Sequence, residues 1–123
     1  MTDDTNTNIQ VLKDLLKDFR DRRDWKQFHD PKNLAEAISI EAGELQELFL
    51  WKDKDDIIEK IKNDPEFKER VGEELADVIN YCLNFATATD LDVATIVKDK
   101  IEKSDKKYPV EKAKGNATKY TNL

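Results

Sequence analysis

Two pairs of carboxylates, Glu41 with Glu44 and Glu74 with Asp77, repeat one three-residue spacing in separate parts of a 123-residue chain. On a helix that spacing places both members of a pair on one face, about a turn apart. Glu41 is the unusual member. Leu34, Ile38, Leu45, Leu48 and Phe49 fall within an arc of about 100° on a helical wheel, and Glu41 lies near its middle. A lone carboxylate there suffers a desolvation cost or protonates, unless a cation meets it. Glu44 lies on the flank of the arc. Glu74 and Asp77 sit to one side of the stripe Leu75, Ile79, Cys82 and Ala86, a side shared with Val78, Tyr81 and Phe85. Two such pairs facing one core make an all-oxygen cage suited to a hard divalent cation such as Mg²⁺. A chain with 27 acidic residues also generates many i, i+3 pairs that are merely solvated or paired with Lys. Spacing alone leaves both readings open. Glu47 reads as part of a solvated face.

The elements that must position these groups are helical. Ile9, Leu12, Leu16 and Phe19 recur at three- and four-residue steps after Asn8, predicting a helix to about Arg23. The stretch from Asp24 to His29 loses that period while carrying two large aromatics and the only histidine. Asp30-Pro31 and Asp64-Pro65 are helix starts, with Asp as N-cap and Pro in the first turn. The first predicts a helix to about Trp51, which would put Trp51 two turns beyond Glu44 on nearly the same face. A short helix around Ile57, Ile58 and Ile61 ends before Asp64. The second Asp-Pro opens a long helix through Ala86, and Val93, Ile96, Val97 and Ile101 mark the last one. Lys100, Ser104 and Lys107 form a polar stripe on it, either solvated or suited to an anion. The domain reading is a tail over 1–8, a helical domain over 9–109 and a polar arm over 110–123. Cys82 reads as a small buried apolar residue, with no base at motif spacing.

Composition narrows the classes. Leu, Ile, Val and Phe supply about a quarter of the residues, above the range of disordered chains. Three Gly and three Pro are too few for the turns of a small sandwich or barrel. An all-α fold with four main helices remains, with a core thin enough that subunits are expected to share one. A net charge of −6 argues against a nucleic-acid or anionic-membrane partner, and leaves room for a small anion bridged by a cation. No apolar run approaches a membrane span, the N-terminus lacks signal-peptide character, and one cysteine permits no intrachain disulfide. The expected location is the cytoplasm.

Glu41-Ala-Gly-Glu44 followed by Glu73-Glu74-Leu-Ala-Asp77 resembles the ExxE…ExxD signature of the all-α nucleoside triphosphate pyrophosphohydrolases of MazG type. The segments Arg23–Leu34, Glu41–Trp51 and Glu73–Val78, with Lys107–Pro109 and Lys114–Tyr120, are similar to the small dCTP pyrophosphatase branch. Two positions depart from the pattern: Ile40 stands where some members have a further acidic residue, and Ser104 where the branch often has Asn. The resemblance implies a helical bundle assembled as a homotetramer, a dimer of dimers. It implies that Glu41, Glu44, Glu74 and Asp77 bind Mg²⁺, with Mn²⁺ as the alternative. The metal would bridge the triphosphate and activate water for attack on the α-phosphorus, Glu41 or Glu44 taking the proton. Pyrophosphate and a nucleoside monophosphate are the implied products, the implied substrate is dCTP or a modified dCTP, and the implied role is nucleotide-pool cleaning. Trp25, Phe28, His29, Trp51 and Tyr81 match substrate-pocket positions and Lys100 a phosphate-side position. Taken alone, Trp and Phe serve equally as core anchors, and a lone His as a hydrogen-bonded structural group. Two other readings stand beside this one: an all-α dUTPase-like activity, and a non-catalytic helical interaction module with solvated acidic pairs.

Overall fold

The structure, a computed structural model, describes residues 1–123 and contains helices and turns without strands. It divides into two compact units, residues 1–90 and residues 91–123.

The first unit holds α1 (Ile9–Asp21), a 3₁₀ turn (Lys26–Phe28), α2 (Pro31–Glu47), α3 (Lys54–Asn63) and α4 (Pro65–Ala88). The helix starts fall where the sequence places them, because each has a side-chain cap. Asn8 accepts from the Val11 amide at 3.0 Å, Asp30 from Asn33 at 2.8 Å and Asp64 from Phe67 at 3.1 Å. The main packing is α2 against α4, with α1 and α3 alongside α4. Leu34, Leu48, Phe67, Leu83 and Ala86 form the buried core. Phe49 meets Phe67 edge-on at 6.3 Å, and the Lys60 ammonium lies 4.5 Å from the Phe67 ring centre.

Three expectations are corrected here. Helix α2 ends at Glu47 rather than near Trp51. The chain tightens into i to i+3 bonds from Leu48 to Leu50, and Trp51 then turns left-handed at φ 62°. The seven-residue spacing from Glu44 therefore does not place Trp51 on the α2 face, and its side chain is 94% exposed. Cys82 is exposed rather than buried. Leu75 and Ile79 on the same stripe are each 45% exposed, so only Ala86 of that stripe enters the core. The side of α4 carrying Glu74, Val78, Tyr81 and Phe85 is the more covered one.

The second unit contains α5 (Val93–Lys107), a single turn α6 (Val110–Ala113) and a 3₁₀ turn (Tyr120–Asn122). Asp92 caps α5 through the Thr95 amide at 3.1 Å. The terminal arm is ordered against the end of α5: Tyr120 meets Tyr108 edge-on at 5.9 Å, and the Lys107 ammonium is 4.7 Å from the Tyr120 ring centre. No residue of α5 is buried, and Ile96, Val97 and Ile101 are 42–63% exposed. No helix is long and apolar enough to cross a membrane.

Candidate functional site

Helix α2 delivers Glu41 and Glu44 on successive turns, and α4, packed against it, delivers Glu74. One carboxylate oxygen from each of the three lies within 4.8 Å of the others. Glu41 Oε2 and Glu74 Oε2 are both buried without a hydrogen-bond partner. Buried oxygens left unpaired are costly, and native proteins rarely keep them without a reason. Burial pushes the Glu41 carboxyl up to about 6, assisted by its hydrogen bond with Glu44 and by the charges of Glu44, Asp77 and Glu74. Glu74 is raised by burial and then by Glu44, Asp77 and Glu73, with Arg70 the opposing charge. Burial, Glu44, Asp77 and Glu74 all disfavour the ionised form of Glu41. This donor set, all carboxylate oxygen and two atoms orphaned, fits a hard divalent cation. A merely solvated acidic patch would not bury those oxygens.

Asp77 lies one turn beyond Glu74 and links the carboxylates to a cavity of about 480 Å³ between α1 and α4. Trp25, His29 and Tyr81 line this cavity and also an adjoining one of about 240 Å³, where Phe28 joins them. The chain reaches this arrangement through a reversal after α1. Asp24 adopts a left-handed φ of 54°, and the Trp25 amide donates to the Arg20 carbonyl at 3.1 Å. Trp25 then meets Phe19 edge-on at 5.9 Å. Burial, followed by the Arg20 charge, lowers the His29 pKa and so favours the neutral imidazole.

The structure thus brings together Glu41, Glu44, Glu74, Asp77, Trp25, Phe28, His29 and Tyr81, eight of the ten residues singled out by sequence. Trp51 lines neither of these two cavities. Lys100 belongs to the second unit, where it borders a cleft of about 960 Å³ on α5 with Ser104 and Tyr108. The charge of Lys107 pushes its pKa down, with Lys103 adding to the effect. Glu47 is exposed, as its spacing implied.

Sequence reasoning missed three polar residues of the larger cavity: Arg20, Asn80 and Asn84. Asn80 and Asn84 had a readable signal, since Asp77, Asn80 or Tyr81, and Asn84 continue one α4 face at helical spacing. Arg20 had none, because an arginine near the end of an amphipathic helix ordinarily faces water.

Comparisons with known proteins converge on one group. The MazG-like family model matches residues 37–123. Among the relatives, "dCTP pyrophosphatase 1" of Bos taurus is 35% identical over 115 residues, covering 94% of this chain and 68% of that protein. The Homo sapiens protein of the same name is 34% identical over 115 residues, covering 94% and 67%. Among solved structures, a pyrophosphatase from Archaeoglobus fulgidus superposes with a TM-score of 0.76 at 38% identity, covering 89% of this chain and 99% of that one.

Proposed function

The chain belongs to the MazG-like family, and on that premise we propose that it hydrolyses a deoxynucleoside triphosphate, dCTP or a modified dCTP, to the monophosphate and pyrophosphate. The observation that carries this reading is the pair of orphaned oxygens on Glu41 and Glu74 beside a cavity walled by Trp25, His29 and Tyr81. Glu41, Glu44, Glu74 and Asp77 would hold Mg²⁺, or Mn²⁺ in its place. When bound, the metal supplies positive charge for the triphosphate and acidifies water.

The chain's own residues account for the rest. Trp25, Phe28, His29 and Tyr81 receive base and sugar between aromatic walls, and a fit too narrow for a purine would give selectivity for a pyrimidine. Asp77, shared by the cavity and the carboxylates, fixes where the base ends and the triphosphate begins. Water attacks the α-phosphorus, the α–β bridging bond breaks, and the water oxygen stays on the monophosphate while pyrophosphate leaves. Glu41 or Glu44 accepts the water proton.

Assembly belongs to the same proposal. We read the functional form as a homotetramer, a dimer of dimers, acting in nucleotide-pool cleaning in the cytoplasm. The exposed aliphatic surface of α4 and α5 and the fully exposed Trp51 support it, since a monomer gains nothing by hydrating them. Trp51 and Lys100 are assigned to substrate within that assembly.

A panel of deoxynucleoside triphosphates with Mg²⁺, scored for pyrophosphate against orthophosphate, tests the reading. The expected result is pyrophosphate release, fastest from dCTP. Preference for dUTP would move the chain to a dUTPase-like activity, and release of orthophosphate alone would overturn hydrolysis at the α–β bond.

A further inference from the structure

Arg20 is the one cation lining the larger cavity of the first unit, and its side chain is 9% exposed. Its Nε donates to Asp21 Oδ1 at 2.8 Å, and no hydrogen bond within the protein engages its two terminal amino groups. The guanidinium is thus held in place at Nε while its terminal amino groups remain free to meet a ligand in the cavity that Arg20 lines. Its backbone is equally fixed: the Arg20 carbonyl accepts from the Trp25 amide at 3.1 Å and from Arg23 at 3.2 Å. The residue is therefore preorganised at the turn that presents Trp25.

Its location along the cavity decides what it can meet. The Arg20 charge acts on His29, at the aromatic end. Arg20 thus shares the cavity with Trp25 and His29, the aromatic walls between which a base would lie. A guanidinium held at Nε offers its terminal amino groups as two parallel donors, which suit two neighbouring acceptors. Cytosine has such a pair in N3 and O2. Uracil and thymine carry a hydrogen on N3, so the same approach meets a donor.

We propose that Arg20 is a specificity-determining residue that donates its terminal amino groups to the N3 and O2 edge of a cytosine base. This rests on the nucleotide reading above and deepens it by naming what selects the base. Asn80 and Asn84, lining the same cavity, offer amide oxygens that can accept from an exocyclic amine.

Arg20→Lys and Arg20→Gln test the proposal, the first keeping charge without the fork. Two readouts apply to each: kcat/KM for dCTP and dUTP, and Trp fluorescence titrations with dCMP and dUMP. A bidentate Arg contact to a base is worth roughly tenfold to a hundredfold in discrimination. The expected result is a fall of that size in the cytosine-to-uracil ratio in both variants, carried by KM and by Kd while kcat for dCTP changes little. A structural role would lower both substrates together and leave the ratio unchanged, which overturns the proposal. So does wild-type protein that prefers uracil in either assay. If Arg20→Gln gives no cooperative melt, Arg20→Lys decides alone. Should wild type release no pyrophosphate yet bind dCMP in preference to dUMP, with the preference lost in Arg20→Lys, the hydrolytic reading fails and the base contact stands. Absence of both activity and preference removes both.

Discussion

The two faces of α4 are built to different ends. One face carries Glu74, with a buried and unpaired oxygen, followed by Asp77, Tyr81 and Asn84 along the cavity. The other carries Leu75, Ile79 and Cys82, all exposed. A helix optimised for the stability of one chain would do the reverse, burying the aliphatics and hydrating the carboxylate. The inner face gives up stability for a charged site, and the outer face leaves apolar area hydrated. The carboxylate face and the exposed apolar stripe are thus separated by about half a turn of one helix, and each can be perturbed without the other.

The largest expected effect comes from the inner face. Glu41→Gln keeps volume and removes one negative charge, and the proposed site predicts a loss of at least about a hundredfold in kcat/KM, or about 2.7 kcal/mol. Apo stability should hold or rise in the same variant, because burial and its carboxylate neighbours disfavour a charge on Glu41. Thermal melts beside a pyrophosphate-release assay check both. A destabilised variant that stays active would place Glu41 outside the site.

On the outer face, Ile79→Glu should abolish assembly. Light scattering is expected to give about four times the 14.3 kDa chain mass for the wild-type protein and a smaller species for the variant. The Mg²⁺-dependent rise in Tm should survive, since the carboxylates belong to the other face. Loss of both together would show that the two faces are not independent.

A pH series sharpens the inner face further. The Glu41 pKa is raised from 4.5 to about 6, so between those values the native state holds a proton that the unfolded chain has released. Apo stability from this group is therefore present below pH 4.5 and falls as pH rises through 6. Metal binding runs the opposite way, because it needs the ionised carboxylates. The rise in Tm with millimolar Mg²⁺ should be small at pH 5 and full by pH 7.5. At a concentration of about 100 Kd it corresponds to roughly 2.7 kcal/mol. A shift independent of pH would count against Glu41 as a ligand.

The sequence disclosed the site more fully than it disclosed the surfaces. Helix starts were legible because Asn8, Asp30 and Asp64 cap them through local hydrogen bonds. The end of α2 was not, because no Gly or Pro marks it and a bulky Trp51 occupies the left-handed position. Glu41 announced itself by interrupting an apolar arc. Cys82 misled because an apolar stripe does not by itself show how far the core reaches along it, and only Ala86 of this one is buried. Arg20 stayed hidden for a related reason. Its burial depends on the reversal at Asp24, which brings Trp25 and His29 over α1, and helical periodicity carries no record of a loop's return path.

The smallest effect concerns Trp51, the extreme case of outward apolar surface. A bulky residue at φ 62° sits where its Cβ crowds the following carbonyl, at a cost of about 1 kcal/mol that Gly does not bear. Its indole is 94% exposed, so within one chain it gains almost no packing in return. Such strain is expected where a residue serves something beyond its own fold. Trp51→Gly removes the strain and the side chain together but also loosens the unfolded chain, which offsets part of the gain. If Trp51 contacts nothing else, Tm should stay level or rise slightly and KM should not move. If it closes over substrate in the assembled protein, as proposed, KM for dCTP should rise by about tenfold, the loss of one aromatic stacking contact. Light scattering on the same samples separates the causes: a raised KM with intact assembly assigns the indole to substrate, and a raised KM with a smaller species assigns it to the subunit interface.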